Sequence, residues 1–393
     1  MKIRFGIDRV VMGEVPELSG LRLGLVTSNV ATTAFNGETS RVALRRAGFN
    51  LVRLFGPEHG LSGSAADGAA VTNDVDPATQ LPIISLYGDQ FRPPRETLDD
   101  LDAVLFDIPD VGARFYTYIW TLSHVMEACA DAGKPLYLLD RPSPISGDLS
   151  AAEGPILEET ALSSFVGRWN IPVRYALTIG ELARLWNVER HIGVDLHIIE
   201  VTGWRRHQHW PQARLPFVKL SPTMVSYESA LLYPGTCLFE GTNLSEGRGT
   251  AAPFQLIGAP WLKSQQLVES FKSLRLAGVT AGATEFTPQG RKHASQECQG
   301  VHLQITDPRT LRPVEMGLHL LALIIAMHRD DFQWLSYPTA VAASGINHFD
   351  KLIGRTEIRP LLDRQTANLP AQIKAWTDPG DWAARAQPHL LYQ

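Results

Sequence analysis

An α/β fold is predicted: a parallel sheet with helices on both faces, followed by a smaller α+β auxiliary unit. Three observations predict it. From Leu21 to Val201, short β-rich apolar runs alternate with stretches of helical periodicity, the pattern of strands joined by crossover helices. Between Gly203 and Glu228 the composition shifts to Arg, His, Gln and Pro without clear periodicity, and the pattern beyond it is mixed. The chain has 393 residues, 44% of them apolar, which is long enough for two domains and enough to bury a sizeable core.

Taken in order, Leu23-Gly24-Leu25-Val26-Thr27 reads as the first strand and Arg41 to Arg45 as part of a helix. The apolar run Phe49 to Phe55 reads as a buried strand that Gly56-Pro57 must end. Further strands are predicted at Ile83–Tyr87 and Ala103–Ile108. Phe115, Ile119, Leu122, Met126 and Cys129 recur at spacings of three or four, as one helix face requires, and Gly133 is suited to the left-handed end of that helix. Pro135–Asp140 is the next strand. Thr178 with Glu181 three residues on forms a capping box for a helix running to Glu189, and a strand follows at Leu196–Val201. The second half is expected to hold a helix at 265–274, strands at 279–286 and 301–306, and an apolar helix at 316–327. The domain division is placed at 1–228 and 229–393.

Composition excludes several functions. A net charge of −5 with no long Lys or Arg run argues against nucleic acid or an anionic membrane as the main partner. The apolar stretch near Leu318–Met327 is broken by His319 and too short to span a bilayer. Three scattered cysteines, Cys129, Cys237 and Cys298, suggest neither a disulfide framework nor a zinc site. The N-terminus shows no signal-peptide pattern, so a cytoplasmic protein is expected as the sequence stands, or an exported one if a leader had been removed. Nothing in the sequence sets an oligomeric state.

The chemistry concentrates where strands end. In an open α/β sheet, residues just past the carboxyl ends of strands line the ligand crevice. Glu58 follows the second strand with His59 beside it, Asp107 and Asp110 end the strand at Ala103, and Asp140 and Arg141 end the next. Arg114, Tyr116 and Tyr118 stand at the start of the long helix. In a parallel sheet all of these converge on one rim. Two carboxyls facing each other can divide acid and base duties, and glycoside hydrolysis needs such a pair with aromatic and Arg groups holding the sugar. The plainer reading of each acid is a helix cap or a buried ion pair, and Asp107 is equally a structural partner for Arg114 or Arg141. A second dense stretch, Pro234 to Thr250, is expected to be a polar loop whose glycines let backbone approach a ligand, with Glu240, Asn243, Glu246 and Arg248 as directed groups. No GxGxxG, P-loop or HExxH occurs, His207 and His209 lack a matching third ligand, and Gly60-Leu61-Ser62-Gly63-Ser64 misses the nucleophile elbow by one residue.

Phe55-Gly56-Pro57-Glu58-His59-Gly60, Ser85-Leu86-Tyr87-Gly88, the run Phe106 to Tyr118 and Leu139-Asp140-Arg141-Pro142 together resemble the bacterial exo-β-N-acetylmuramidases, long filed as a domain of unknown function. Glu153-Gly154-Pro155, the helix start at Thr178, the segment Glu240 to Thr250, and Gly300 to Val314 fit the same family, so the resemblance covers Leu21 to Leu352. It implies a Rossmann-like catalytic domain, an auxiliary domain and a site in the cleft between them. The implied activity is release of N-acetylmuramic acid from the non-reducing end of peptidoglycan fragments, without metal or organic cofactor. Glu58 is the implied catalytic acid, with Asp107, Asp110 or Asp140 positioning water or stabilising the cationic transition state, unless the substrate's own acetamido group is the nucleophile. Arg114, Arg141 and Arg248 are candidates for reading the lactyl carboxylate; His59, Tyr116, Tyr118, Asp140, Glu240, Asn243 and Glu246 are expected substrate contacts. Two departures stand out: many relatives are exported, and Pro109 stands where a Gln is expected. The competing readings are a non-catalytic binding protein for muropeptides or other anionic sugars and, behind it, a metal-dependent hydrolase.

Overall fold

The computed structural model describes residues 2–58, 60–62, 73–88, 90–336 and 347–393. The N-terminal half is built on a seven-stranded sheet: β1 (Leu23–Thr27), β2 (Leu51–Gly56), β3 (Asp74–Val75), β4 (Pro82–Ser85), β5 (Ala103–Asp107), β6 (Leu136–Leu139) and β7 (Leu196–Ile199). Their order across the sheet is β3-β4-β2-β1-β5-β6-β7. Every pairing is parallel except that of β3 with β4. This is the Rossmann-like α/β arrangement.

The central strands are largely apolar because both faces are covered, with Arg53 of β2 the charged exception, paired to Asp100. Alternate residues feed two cores. Leu23, Leu25, Leu54, Ala103, Leu105 and Leu139 pack beneath the helices Gly6–Val11 and Ser40–Arg46. Val26, Phe55, Val104, Phe106 and Leu138 face the helices Tyr118–Ala132 and Ile179–Glu189 in a core that continues into the C-terminal half. Gly133 takes φ 63° and ends the first of these two helices, and Thr178 and Glu181 close the capping box of the second. Phe115, assigned to that first helix by periodicity, lies in the turn before it. The helix Gly6–Val11 carried no periodic signal; it lies so close to the sheet that a Cβ on Gly6 would stand 2.5 Å from the Ile199 carbonyl oxygen.

The C-terminal half holds a three-stranded antiparallel sheet, β8 (Leu256–Ala259), β9 (Val279–Phe286) and β10 (Cys298–Ile305), in the order β8-β10-β9. The helices Ser264–Ser273 and Pro313–Met327 pack around it, and four helices of five to eight residues complete the chain: His348–Ile353, Ile358–Arg364, Leu369–Trp376 and Trp382–Ala386. Among the described residues no helix is long and apolar enough to cross a membrane.

The stretch from Pro234 is not a polar loop at its start. Pro234, Gly235 and Thr236 end the helix Tyr227–Thr236, and Cys237–Gly241 continues as a 3₁₀ turn, all of it buried. Its glycines serve backbone-to-backbone contact rather than a ligand. A Cβ on Gly235 would fall 1.8 Å from the Pro313 carbonyl oxygen, and one on Gly241 would fall 2.5 Å from the Phe349 amide nitrogen. The absent side chains let the helices of this half touch.

Side chains join the two halves. Glu153 sends its buried carboxylate to the Glu315 amide (2.7 Å) at the start of the helix Pro313–Met327. Arg312 donates back to the Ser150 and Ala152 carbonyls (2.9 Å each). At the end of the chain, Tyr392 donates its hydroxyl to Asp140 at 2.5 Å, and the Trp382 indole donates to the Tyr175 carbonyl at 2.8 Å.

Candidate active site

Because β1, β2, β5 and β6 run parallel, the residues that follow them gather on one rim. Glu58 stands two residues past β2, is 7% exposed, and accepts a 2.5 Å hydrogen bond from Thr117 Oγ1. Thr117 immediately precedes the helix that follows β5, so this bond ties the ends of β2 and β5 across β1. Its hydroxyl fixes the carboxyl's orientation. His59 lies outside the described residues.

Asp107 and Asp110, three residues apart, have different surroundings. Asp107 is fully buried and gripped by Arg141 through two parallel bonds, Nε to Oδ1 at 2.6 Å and Nη2 to Oδ2 at 2.9 Å. The Ser40 hydroxyl adds a third donor. Arg141 Nη1 donates to the Thr32 carbonyl at 2.9 Å, and the guanidinium lies 4.9 Å from the Phe5 ring centre. Of the two arginines considered for Asp107, the structure selects Arg141. Asp140 is equally committed: it accepts from the Arg141 and Gly180 amides and from the Thr178 and Tyr392 hydroxyls, and burial pushes its carboxyl up to about 6. It organises a helix start and the C-terminus.

Asp110 differs. Its Oδ2 accepts from the Tyr175 hydroxyl and, at 2.7 Å, from the Gly112 amide, while its buried Oδ1 has no hydrogen-bond partner. Burial pushes the carboxyl up to about 6, against the pull of those donors. Asp110 lines a cavity of about 450 Å³. The rest of the wall comes from Val30 and residues 32–37 after β1, from Pro109, from Arg141, Pro142 and Pro144 after β6, from Phe5, and from the segment 210–220. Asp8, which no motif marked, holds this wall by accepting from the Phe5 and Ala34 amides at 2.6 and 2.9 Å.

The remaining candidates sort by what they touch. The Arg114 guanidinium is fully buried and donates to the carbonyls of Pro155, Ile171 and Leu352, each at 2.8 Å, so it clamps backbone rather than reaching the cavity. Tyr116 donates its hydroxyl to the Leu220 carbonyl at 2.8 Å and packs edge-on against the buried Tyr118. In the C-terminal half, Arg248 lies between Glu240 and Glu246, with Lys292 Nζ 3.0 Å from Glu246 and His348 3.6 Å from Glu240. Burial opposes charge on Glu240, yet Arg248 and His348 outweigh it and hold the carboxyl well below the usual carboxylate range. Asn243 bonds to Asp331, Gln333 and His293 through its side chain and backbone. The structure thus brings Glu58, Asp107, Asp110, Asp140, Arg141, Tyr116 and Tyr118 to one rim, and gathers Glu240, Glu246 and Arg248 in a cluster of the C-terminal half, with the Tyr233 ring 6.2 Å from that of Tyr116. Among the described residues, no group of three or more His, Cys, Asp or Glu could hold a metal ion.

Sequence reasoning missed the cavity wall. Phe5, Phe35, Trp210 and Phe217 belong to segments without periodicity; the only signal was aromatic and proline residues in the region of shifted composition.

Comparison with known proteins agrees with this architecture. Residues 23–228 match the N-terminal model of the exo-β-N-acetylmuramidase NamZ family, and residues 231–392 match its C-terminal model. The chain is 42% identical over 366 residues to the peptidoglycan β-N-acetylmuramidase NamZ of Bacillus subtilis (strain 168), covering 93% of this chain and 86% of that protein. Crystal structures of two DUF1343 family proteins from Bacteroides fragilis superpose with TM-scores of 0.88 and 0.74, at 30% and 25% identity, each over 100% of this chain and 99% of the other. With both halves matched and a relative this similar, the chain belongs to the exo-β-N-acetylmuramidase NamZ family.

Proposed function

We propose that this protein is a glycosidase that releases N-acetylmuramic acid from the non-reducing end of β-1,4-linked peptidoglycan fragments, with Glu58 as its catalytic acid. Family membership supports a peptidoglycan-degrading enzyme over a passive binding protein. The observation that carries the acid assignment is the position of Glu58: buried, at the carboxyl rim of a parallel sheet, and oriented by Thr117. A general acid must be held within reach of the leaving oxygen in a fixed rotamer, which that hydrogen bond supplies. Of the other acids on the rim, Asp107 is matched by Arg141 and Asp140 by four donors. Asp110 lines the cavity beside that rim, and we place it against the substrate. We also read the chain as two units divided at 228/229; the two family models, which meet between residues 228 and 231, support that division.

Hydrolysis of a chromogenic β-N-acetylmuramide against the matching N-acetylglucosaminide tests the reading. Wild type should turn over the muramide and spare the glucosaminide, and on the unactivated disaccharide, whose leaving oxygen must be protonated, Glu58→Gln should lose at least about a hundredfold in kcat, the lower range for positioned acid catalysis. Equal turnover of both chromogenic sugars, or a Glu58→Gln variant that cleaves the disaccharide at the wild-type rate, contradicts it.

A further inference from the structure

Resting on that reading, we propose that the segment 382–393 of the C-terminal half positions the catalytic rim of the N-terminal half, with Tyr392 as its principal positioning residue. This one segment reaches two rim acids from behind. Through Trp382 it holds Asp110: the fully buried indole donates to the Tyr175 carbonyl at 2.8 Å, and the Tyr175 hydroxyl donates to Asp110 Oδ2. Through Tyr392 it holds Asp140: the phenol donates to Asp140 Oδ2 at 2.5 Å, and Asp140 Oδ1 accepts the Arg141 amide at 2.9 Å. Asp110 and Arg141 line the same cavity, so both connections end on one wall.

The Tyr392 connection is held from every side. Its hydroxyl also accepts from the Val201 amide at 3.1 Å, so one oxygen ties the chain just past β7 to Asp140. Its ring meets that of Trp204 edge-on at 5.3 Å. The neighbouring residues are tied as well. The Leu391 amide donates to Glu181 Oε1 at 2.9 Å, and the Arg206 amide donates to the Gln393 main-chain oxygen at 3.1 Å. Three consecutive residues thus bond to the N-terminal half, and the phenol has a fixed place in it.

From Asp140 the effect passes to the site by bonds already described. A carboxylate that accepts the next residue's amide fixes the peptide from which the Arg141 side chain leaves. That side chain then grips Asp107 and donates to the carbonyl of Thr32, itself part of the cavity wall. Without the phenol, only the Thr178 hydroxyl still holds Asp140 Oδ2 among the donors described, and the carboxylate and the peptide beside it can turn. The wall and Glu58 then lose their spacing, and a misplacement of about 1 Å can cost about a hundredfold in rate. Supporting bonds of this kind decide how well a site is held in its productive geometry.

The test separates positioning from mere support of the fold. Tyr392→Phe removes one oxygen and both of its bonds. On the disaccharide of N-acetylmuramic acid β-1,4-linked to N-acetylglucosamine, at a temperature where circular dichroism shows the variant folded, it should lose about tenfold in kcat with KM within about twofold. Trp204→Phe loosens the packing of the same ring but keeps every bond of that hydroxyl; it should lower the melting temperature and keep kcat within about twofold. Hydrogen exchange read by mass spectrometry is independent of turnover: the peptide carrying the Arg141 amide should exchange about tenfold faster in Tyr392→Phe and at the wild-type rate in Trp204→Phe. An unchanged kcat in Tyr392→Phe, an equal kcat loss in Trp204→Phe, or unchanged exchange at Arg141 overturns the proposal. If wild type cleaves no muramide, the functional reading fails by itself, and exchange at Arg141 still decides whether the segment holds the rim.

Discussion

Removing Arg141 should unfold the protein more readily, because Asp107 depends on it. The perturbation is Arg141→Met, which keeps most of the aliphatic stem and deletes the guanidinium. Wild type holds Asp107 by two bonds of 2.6 and 2.9 Å inside a fully buried strand end, and Arg141 itself is 6% exposed. In the variant only the Ser40 hydroxyl still faces that carboxylate among the donors described. Breaking a buried pair from one side leaves an uncompensated charge, at a cost of about 3–5 kcal/mol. Asp107→Asn in the same background removes the orphaned charge and should restore about 1–3 kcal/mol, the usual coupling between contacting groups. Urea denaturation followed by tryptophan fluorescence measures both changes as shifts in midpoint. A variant with the wild-type midpoint but no activity would refute the reasoning, since Arg141 would then serve substrate rather than Asp107.

Other consequences follow from single contacts. Burial pushes the Glu153 carboxyl up to about 7, so its contribution to stability is full below its ordinary pKa near 4.5 and is lost as pH rises towards 7. Glu153→Gln should flatten that part of the stability–pH curve, by on the order of 3 kcal/mol between pH 4.5 and 8; an unchanged slope would contradict it. Gly235→Ala must push the Pro313 carbonyl away and should lower the melting temperature sharply, whereas Gly282→Ala, whose Cβ meets nothing within 4 Å, should leave it nearly unchanged. Thr117→Val removes the donor to Glu58 without changing volume; kcat should fall about tenfold at near wild-type stability, and an unaltered kcat would remove Thr117 from the account.

Much of the sheet was legible because β1, β5 and β6 are buried on both faces and read as largely apolar runs. Leu23–Thr27 appears in the structure with the bounds expected of it. The helix end at Gly133 and the capping box at Thr178 were legible because their chemistry is local. Roles that depend on distant partners were not. Nothing within the run Asp107 to Asp110 distinguishes its two acids; Arg141, on the neighbouring strand end, neutralises one, and Tyr175, 65 residues on, bonds to the other. Gly235 carries the same ambiguity, since a glycine that admits a ligand and one that admits a helix look alike until Gly317 and Pro313 come into place. The short C-terminal helices, at five to eight residues, span too few turns for periodicity to mark them. The segment 203–228, read only as a boundary, contributes Trp210 and Phe217 to the cavity.

The most direct test of the central claim is product analysis by mass spectrometry on peptidoglycan oligosaccharides of defined end groups. The account predicts that wild type releases one N-acetylmuramic acid from chains that begin with that sugar, releases nothing from chains that begin with N-acetylglucosamine, and that Glu58→Gln releases nothing from either. Internal cleavage fragments, or release by the Glu58→Gln protein at the wild-type rate, would contradict it.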